Sequence, residues 1–220
     1  MEKIKPKIIS LFSGCGGFDL GFHEVGYKTI WANDLDAQAT KTFERNFGKI
    51  ITEKNIEEID PYADNTIPEC DLILGGFPCQ DFSVIWKQPG LNGDRGNLYK
   101  SFLRFIDAKK PKAFVAENVK SLLTANKKQA IEQIIKDFAE IGPGYLIKIQ
   151  LYNFAEYGVP QFRERVLIVG IRLDTGYNFT HPYPICGPKT DKPYMTAGEA
   201  LKDAEKILHN NEHMNISFRT

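Results

Sequence analysis

Short apolar runs alternate with amphipathic stretches along this chain, the pattern of βα units stacked into a largely parallel sheet. Ile8 to Phe12 predicts a first buried strand, which ends in the glycine-rich turn Ser13-Gly14-Cys15-Gly16-Gly17. A helix is expected through Phe18, Leu20, Phe22 and Val25, closed by Gly26. Thr29 to Ala32 predicts strand two, and a helix from about Ala37 to Phe47 follows, with Asp36 as its N-cap and Gly48 as its stop. Asp71–Leu74 and Ala113–Ala116 are two further short buried strands. Between them lies Gln80–Asn97, with three glycines and little periodicity, the profile of a functional loop. Helices are expected over Leu98–Ala108 and Lys127–Ile141. Leu146–Leu151 and Val166–Ile171 form a strand pair around Tyr157-Gly158-Val159-Pro160-Gln161. After Arg172 the periodicity fades, with one more helix expected over Ala197–Leu208.

The predicted fold class is α/β, a doubly wound, mostly parallel sheet. Two hundred and twenty residues suffice for one sizeable domain of this kind and are short for two. No apolar run is long enough to span a bilayer, and the amino terminus runs into a strand rather than a signal-peptide core. The four cysteines, at 15, 70, 79 and 186, form no Cys-x-x-Cys pair. Neither a disulfide framework nor a structural zinc site is therefore expected, and a cytoplasmic location is the default. His209-Asn210-Asn211-Glu212-His213 has zinc-ligand spacing, but the asparagines argue against a stable helix there, so no metal is expected. Formal net charge is zero, from 28 basic and 28 acidic residues. A self-sufficient nucleic-acid binder would usually carry a basic excess, so part of any binding surface is expected outside this segment.

Three features carry chemistry. The first glycine turn sits at the carboxyl end of strand one and the start of a helix, where open α/β sheets bind nucleotide-like ligands. The dinucleotide fingerprint is not met, because Asp19 stands where its third glycine would be. Asp34, just after strand two, is placed to accept hydrogen bonds from ribose hydroxyls. Cys79 lies on a loop directly after a buried strand, where a reactive thiol would be exposed yet rigidly based. Glu117-Asn118-Val119 follows another strand end and brings a carboxylate to the same edge of the sheet. Arg163 and Arg165 alternate within Gln161-Phe162-Arg163-Glu164-Arg165, so both can point to one face of an extended segment.

Taken in order, these motifs resemble those of the bacterial DNA cytosine-5 methyltransferases of restriction–modification systems, from about Lys7 to Arg172. The resemblance rests on Phe12-Ser13-Gly14-Cys15-Gly16-Gly17-Phe18, Asn33-Asp34, Gly76-Phe77-Pro78-Cys79-Gln80-Asp81-Phe82-Ser83, Arg95-Gly96-Asn97-Leu98, Glu117-Asn118-Val119, and Tyr157 through Arg165. It implies a Rossmann-like fold that uses S-adenosylmethionine and releases S-adenosylhomocysteine. The implied catalytic residues are Cys79 as nucleophile, Glu117 as proton donor to N3 of the base, and Arg165, supported by Arg163, at its O2. The cofactor residues carried over are Phe12, Ser13, Gly14, Cys15, Gly16, Gly17, Asp34, Leu35, Asn55, Ile56, Pro78 and Leu98. The substrate residues are Phe77, Pro78, Gln80, Ser83 and Gln161.

Two positions depart from the family pattern. Asn55 stands where an aspartate usually accepts from the adenine amino group, and Leu35 where an aromatic ring often packs on adenine. The implied substrate is double-stranded DNA, with the target cytosine flipped out of the duplex because its C6 is unreachable within the stack. The family's later parts, a target-recognition domain and a returning helix, are not found before Thr220. Residues 1–175 are accordingly expected to form the catalytic and cofactor-binding domain, incomplete at its C-terminal side. Residues 176–220 would begin the connection to target recognition, supplied by a missing segment or a companion chain. A tRNA cytosine-5 methyltransferase and an inactive cofactor-binding or regulatory remnant are the alternatives.

Overall fold

The computed structural model describes residues 5–78 and 98–203. Among the described residues seven strands form one sheet: β1 (Lys7–Leu11), β2 (Lys28–Asp34), β3 (Ile51–Glu53), β4 (Leu72–Gly75), β5 (Ala113–Val119), β6 (Tyr145–Asn153) and β7 (Glu164–Arg172). Their spatial order is β3-β2-β1-β4-β5-β7-β6. The pairs β2·β3, β1·β2, β1·β4 and β4·β5 are parallel, and β7 runs antiparallel to β5. Strand order reverses between β1 and β4, the switch point at whose carboxyl ends open α/β sheets bind ligands in a crevice. The chain leaves β1 there into the glycine turn, and leaves β4 there into Gly76-Phe77-Pro78.

The two central strands are buried on both faces, and their alternation sorts residues between two layers. Ile9, Leu11, Ile73 and Phe77 join a large cluster with Phe102, Phe105 and Ile106 of α3 (Leu98–Lys109) and Ile134 and Phe138 of α4 (Gln129–Glu140). Phe102, Phe114 and Phe138 pack ring against ring, with centroids 4.6–6.1 Å apart. On the opposite face Ile8, Leu72 and Leu74 meet Phe18 and Phe22 of α1 (Gly17–Glu24). Leu20 and Val25, expected on the inner stripe of that helix, are 54% and 72% exposed instead. The inner face of α1 is anchored by a polar residue, Asp19, which is fully buried.

Asp19 explains why the dinucleotide fingerprint is broken. Ser10 Oγ of β1 donates to its Oδ2 at 2.8 Å, and Thr29 Oγ1 of β2 donates to its Oδ1 at 2.7 Å. The carboxylate thus ties the helix to two adjacent strands, where a glycine would merely allow close approach. Burial pushes the Asp19 carboxyl above its ordinary value, and the hydrogen bonds from Thr29 and Ser10, with His23 nearby, pull it partly back. The folded state therefore holds this proton more tightly than the unfolded chain does. Its stabilising share is complete below the unfolded value of about 3.9 and is lost as pH rises through the raised folded value. In urea titrations, the stability of the wild type relative to Asp19→Asn should fall as pH rises from about 4. A difference independent of pH would contradict this.

On the β2 side, α2 (Ala37–Phe47) starts at Asp36, whose carboxylate accepts from the N–H groups of Gln38 and Ala39, as its expected cap role requires. Thr40 and Phe43 face inward, and Gly48, at a φ of +88°, ends the helix. The other end of the sheet extends further than the apolar run suggests. The parallel ladder of β4 with β5 stops at the pair Gly75 and Ala116, whereas the antiparallel ladder with β7 continues to Val119 and Arg165. Glu117 is therefore a strand residue rather than the first residue of a loop.

The described residues divide into two compact units, one of Met1–Leu151 with Arg165–His181 and one of Tyr152–Glu164 with Pro182–Thr220. Within the second, the N–H groups of Ile185 and Cys186 donate to the Glu156 carbonyl, and Cys186 Sγ contacts the Ala155 carbonyl at 3.0 Å. Phe162 packs edge-to-face on Tyr194 at 5.2 Å. The last described helix, α5 (Ala197–Leu201), opens with a capping box between Thr196 and Glu199. Residues 204–208 of the expected longer helix lie outside the described residues, as do the His209 motif and the Gln80–Asn97 segment.

Candidate active site

The turn after β1 is built by backbone geometry. Phe12 adopts a φ of +52°, a left-handed conformation that costs a non-glycine residue about 1–3 kcal/mol. This bend turns Ser13 toward β2, where its N–H and hydroxyl both donate to the Asn33 carbonyl, at 3.1 and 3.2 Å. The next N–H, of Gly14, donates to Asp34 Oδ2 at 2.7 Å, and the Asp36 N–H donates to Oδ1 at 2.9 Å. Two N–H groups thus orient the Asp34 carboxylate, and roughly half of its lone-pair sites stay open to a ligand. Gly16, at a φ of +86°, caps α1, and a Cβ there would also meet the Phe47 ring. Around Gly14 and Gly17 a Cβ would meet nothing within 4 Å, so this side of the turn is open. Cys15 and Leu35 are exposed, and Ile56 is buried. The Asn55 side chain accepts from the Glu57 N–H at 3.1 Å, which caps the short turn Ile56–Glu58.

At the end of β4, two glycines permit a close approach. A Cβ on Gly75 would lie 2.6 Å from the Phe102 ring and 3.0 Å from the Leu11 carbonyl. A Cβ on Gly76 would lie 3.2 Å from Glu117 Oε2. Phe77 is buried, its ring packed against Tyr99 and Phe102, so this substrate candidate faces the core. Its carbonyl accepts from Asn118 Nδ2 at 2.9 Å, in a buried bond that ties the β4 loop to β5. Pro78 is exposed, while Cys79, Gln80 and Ser83 lie outside the described residues. Leu98, the first residue of α3, packs against the main core.

Glu117 Oε1 pairs with Arg165 Nε at 2.6 Å, and both side chains are partly exposed. The register explains the pairing: Glu117 stands opposite Leu167 and Val119 opposite Arg165, which puts Glu117 and Arg165 diagonally on one face of the sheet. Arg163 and Gln161 are exposed in the second unit, where the Arg163 carbonyl accepts from the Phe154 N–H and the Gln161 N–H donates to the Val159 carbonyl. No cluster of three or more His, Cys, Asp and Glu residues suited to a metal occurs among the described residues. No described helix is long and apolar enough to cross a membrane.

Sequence reasoning gave no role to Asp19, Asn33 or Asn118, all nearly or fully buried polar residues at this edge. For Asn33 and Asn118 the available signal was their place: each is a polar residue near the end of a strand, where burial is tolerated only with hydrogen-bond partners.

Residues 6–220 match the family described as C-5 cytosine-specific DNA methylase. The chain belongs to this family. It is 63% identical over 219 residues to the type II methyltransferase M.NgoFVII of Neisseria gonorrhoeae, a match covering 98% of this chain and 58% of that protein. Similarity to the type II methyltransferase M.AquIA of Picosynechococcus is 38% over 224 residues, covering 91% of this chain and 88% of that protein. Among solved structures, one described as a DNA modification methyltransferase encoded within an E. coli prophage superposes with a TM-score of 0.71. That likeness, at 24% identity, covers 90% of this chain and 54% of the other, and it establishes the fold. The chain thus spans just over half the length of M.NgoFVII and of that prophage protein. Membership in a restriction–modification methyltransferase family agrees with what the ordered motifs imply.

Gly76 gives a direct test of the crevice. In Gly76→Ala the added carbon would lie 3.2 Å from Glu117 Oε2, so the carboxylate must give by a few tenths of an ångström. If Glu117 acts on the base as the family resemblance implies, a displacement on that scale should lower kcat by about 10-fold, since a full 1 Å can cost about 100-fold. Single-turnover methylation would read it, with S-adenosylhomocysteine affinity unchanged. An unaltered rate would separate Glu117 from the chemistry.

Proposed function

We propose that this chain carries the catalytic centre of a DNA cytosine-5 methyltransferase acting on duplex DNA within a restriction–modification system. The observation that carries the reading is the Glu117–Arg165 pair, set at the edge of the sheet against the Gly76-Phe77-Pro78 segment that runs directly into Cys79. The family membership and the 63% identity to a type II methyltransferase support it.

The residues at the β1 turn fit S-adenosylmethionine. An oriented carboxylate with open lone pairs at Asp34 suits ribose hydroxyls, the side around Gly14 and Gly17 is open, and Leu35 and Asn55 are the residues that the family resemblance assigns to the adenine. When bound, that cofactor supplies an electrophilic methyl group on a sulfonium sulfur, with S-adenosylhomocysteine as the product. The protein's part is to make cytosine C5 nucleophilic. The base leaves the stack and enters the crevice. The Cys79 thiolate adds to C6, forming the S–C6 bond while Glu117 delivers a proton to N3, so that C5 gains enamine character. Arg165 hydrogen-bonds O2 as charge gathers on the ring. C5 then takes the methyl group. Loss of the C5 proton to a base expels the cysteine as thiolate, and N3 gives back its proton.

Target reading is assigned to polypeptide outside residues 1–175, either a further segment or a companion chain. A cytoplasmic location agrees with this reading.

The reading is tested by incubating the natural protein, with any companion polypeptide, with duplex DNA and S-adenosylmethionine carrying a labelled methyl group. Label recovered as 5-methylcytosine in DNA supports it. Label in tRNA alone would select the alternative substrate, and no transfer to either would leave a binding module.

A further inference from the structure

Asn33 is a buried residue at this edge whose bonds join several segments. It is the second-last residue of β2, only 2% exposed, and its side-chain amide spends both hydrogens on the far end of β3. Nδ2 donates to the Thr52 carbonyl at 3.0 Å and to the Lys54 carbonyl at 2.8 Å. Its own main-chain carbonyl accepts from the N–H and the hydroxyl of Ser13. One buried residue therefore joins three segments: the turn after β1, the end of β2 with Asp34, and the peptide that links Lys54 to Asn55.

Few side chains could replace it. Two carbonyl oxygens side by side need two N–H donors on one atom, which aspartate, serine and threonine lack. Glutamine has them one methylene further out, in a site with almost no solvent access. The held carbonyl of Lys54 fixes the plane of the Lys54–Asn55 peptide, and so the direction in which the Asn55 side chain and Ile56 leave the strand. A second bond, from the Lys54 N–H to the Asp34 carbonyl at 3.2 Å, joins the same two strand ends.

We propose that Asn33 is a positioning residue for the cofactor. It holds the Asn55–Ile56 segment at a fixed separation from the Asp34 carboxylate and from the Ser13–Gly14 turn, so that both ends of an adenosine meet their partners at once. The inference rests on the S-adenosylmethionine reading above. It goes further in placing the set-point of the pocket on a residue with no ligand contact of its own.

The experiment uses the natural protein, S-adenosylhomocysteine as the calorimetric probe, and three substitutions: Asn33→Asp, Asn33→Ala and Asn55→Ala. Asn33→Asp is nearly isosteric but sets acceptors against two carbonyls. It should weaken binding by about 10-fold or more, raising the cofactor KM while kcat at saturation holds. In the double substitution Asn33→Ala with Asn55→Ala, the losses should be less than additive, because the first acts through the second. A fall in Tm with unchanged affinity in Asn33→Asp would overturn the inference and leave Asn33 a structural residue. Fully additive losses would overturn it as well. Should the Asn33 variants fail to fold, the wild-type protein decides. Its Asn33 side-chain amide protons should shift and exchange more slowly once the probe is added, and unaltered signals would overturn the proposal. A wild type that binds no S-adenosylhomocysteine would defeat the cofactor reading itself, and the proposal with it.

Discussion

Replacing Cys79 with alanine should lower methyl transfer to duplex DNA by on the order of 10⁴-fold or more, the scale on which loss of a covalent nucleophile acts. The size follows from the substrate. C5 of an unmodified cytosine has little tendency to attack a methyl group, and it becomes enamine-like only while a nucleophile occupies C6. In the proposed mechanism nothing else takes the place of the thiol at C6, so its loss leaves one step too high to cross. Binding of S-adenosylhomocysteine should stay within about two-fold of wild type, since its contacts are assigned to the β1 turn, Asp34 and Asn55. Single-turnover transfer of a labelled methyl group, with calorimetry alongside, separates the two effects. An active alanine variant would assign the nucleophile elsewhere.

Glu117→Gln is expected to reduce kcat by about 10²- to 10⁴-fold, the usual contribution of a positioned proton donor. Glutamine preserves the shape beside Gly76 and can still accept from Arg165, but it has no carboxyl proton to give to N3. The loss should fall on kcat rather than on the KM for DNA. Stability should change by less than about 1 kcal/mol, because the Glu117–Arg165 pair is partly exposed and such pairs are weak in water. Chemical denaturation of the variant checks the second point, and a burst experiment checks the first. A variant that loses activity only by unfolding would remove Glu117 from the mechanism.

Much of this edge was legible because parallel strands buried on both faces leave unambiguous apolar runs. β1, β2, β4 and β5 stand where Ile8, Thr29, Asp71 and Ala113 begin their runs, give or take a residue or two. The cap at Asp36 was equally clear, since a carboxylate two and three residues before free N–H groups has a specific geometry. What the chain concealed was polar burial. The stripe Phe18, Leu20, Phe22 and Val25 suggested a helix packed by apolar residues, yet Asp19 holds it to Ser10 and Thr29 while Leu20 and Val25 face water. Nothing local distinguishes a buried aspartate from an exposed one, because its partners come from two strands brought together only by the fold. The reach of β5 through Glu117 to Val119 was hidden for a similar reason, since it depends on pairing with β7 some fifty residues later.

The candidate site divides along the same line. The turn after β1, Asp34, Glu117 and Arg165 were readable as residue types at spacings that chemistry requires. The Glu117–Arg165 contact was not, because it depends on an antiparallel register that sequence spacing leaves open. Asn33 and Asn118 stood inside quoted motifs without a role, and only the carbonyls they hold reveal one.

Covalent capture tests the central claim most directly. Duplex DNA with 5-fluorocytosine at the target position, incubated with the natural protein and S-adenosylmethionine, cannot lose a proton from C5 after methylation, so the cysteine adduct cannot be released. The account predicts a denaturation-resistant protein–DNA species whose cross-linked peptide, by mass spectrometry, contains Cys79 joined to a methylated fluorocytosine. Methylation of ordinary DNA with no such species, or a cross-link at any other residue, would contradict it.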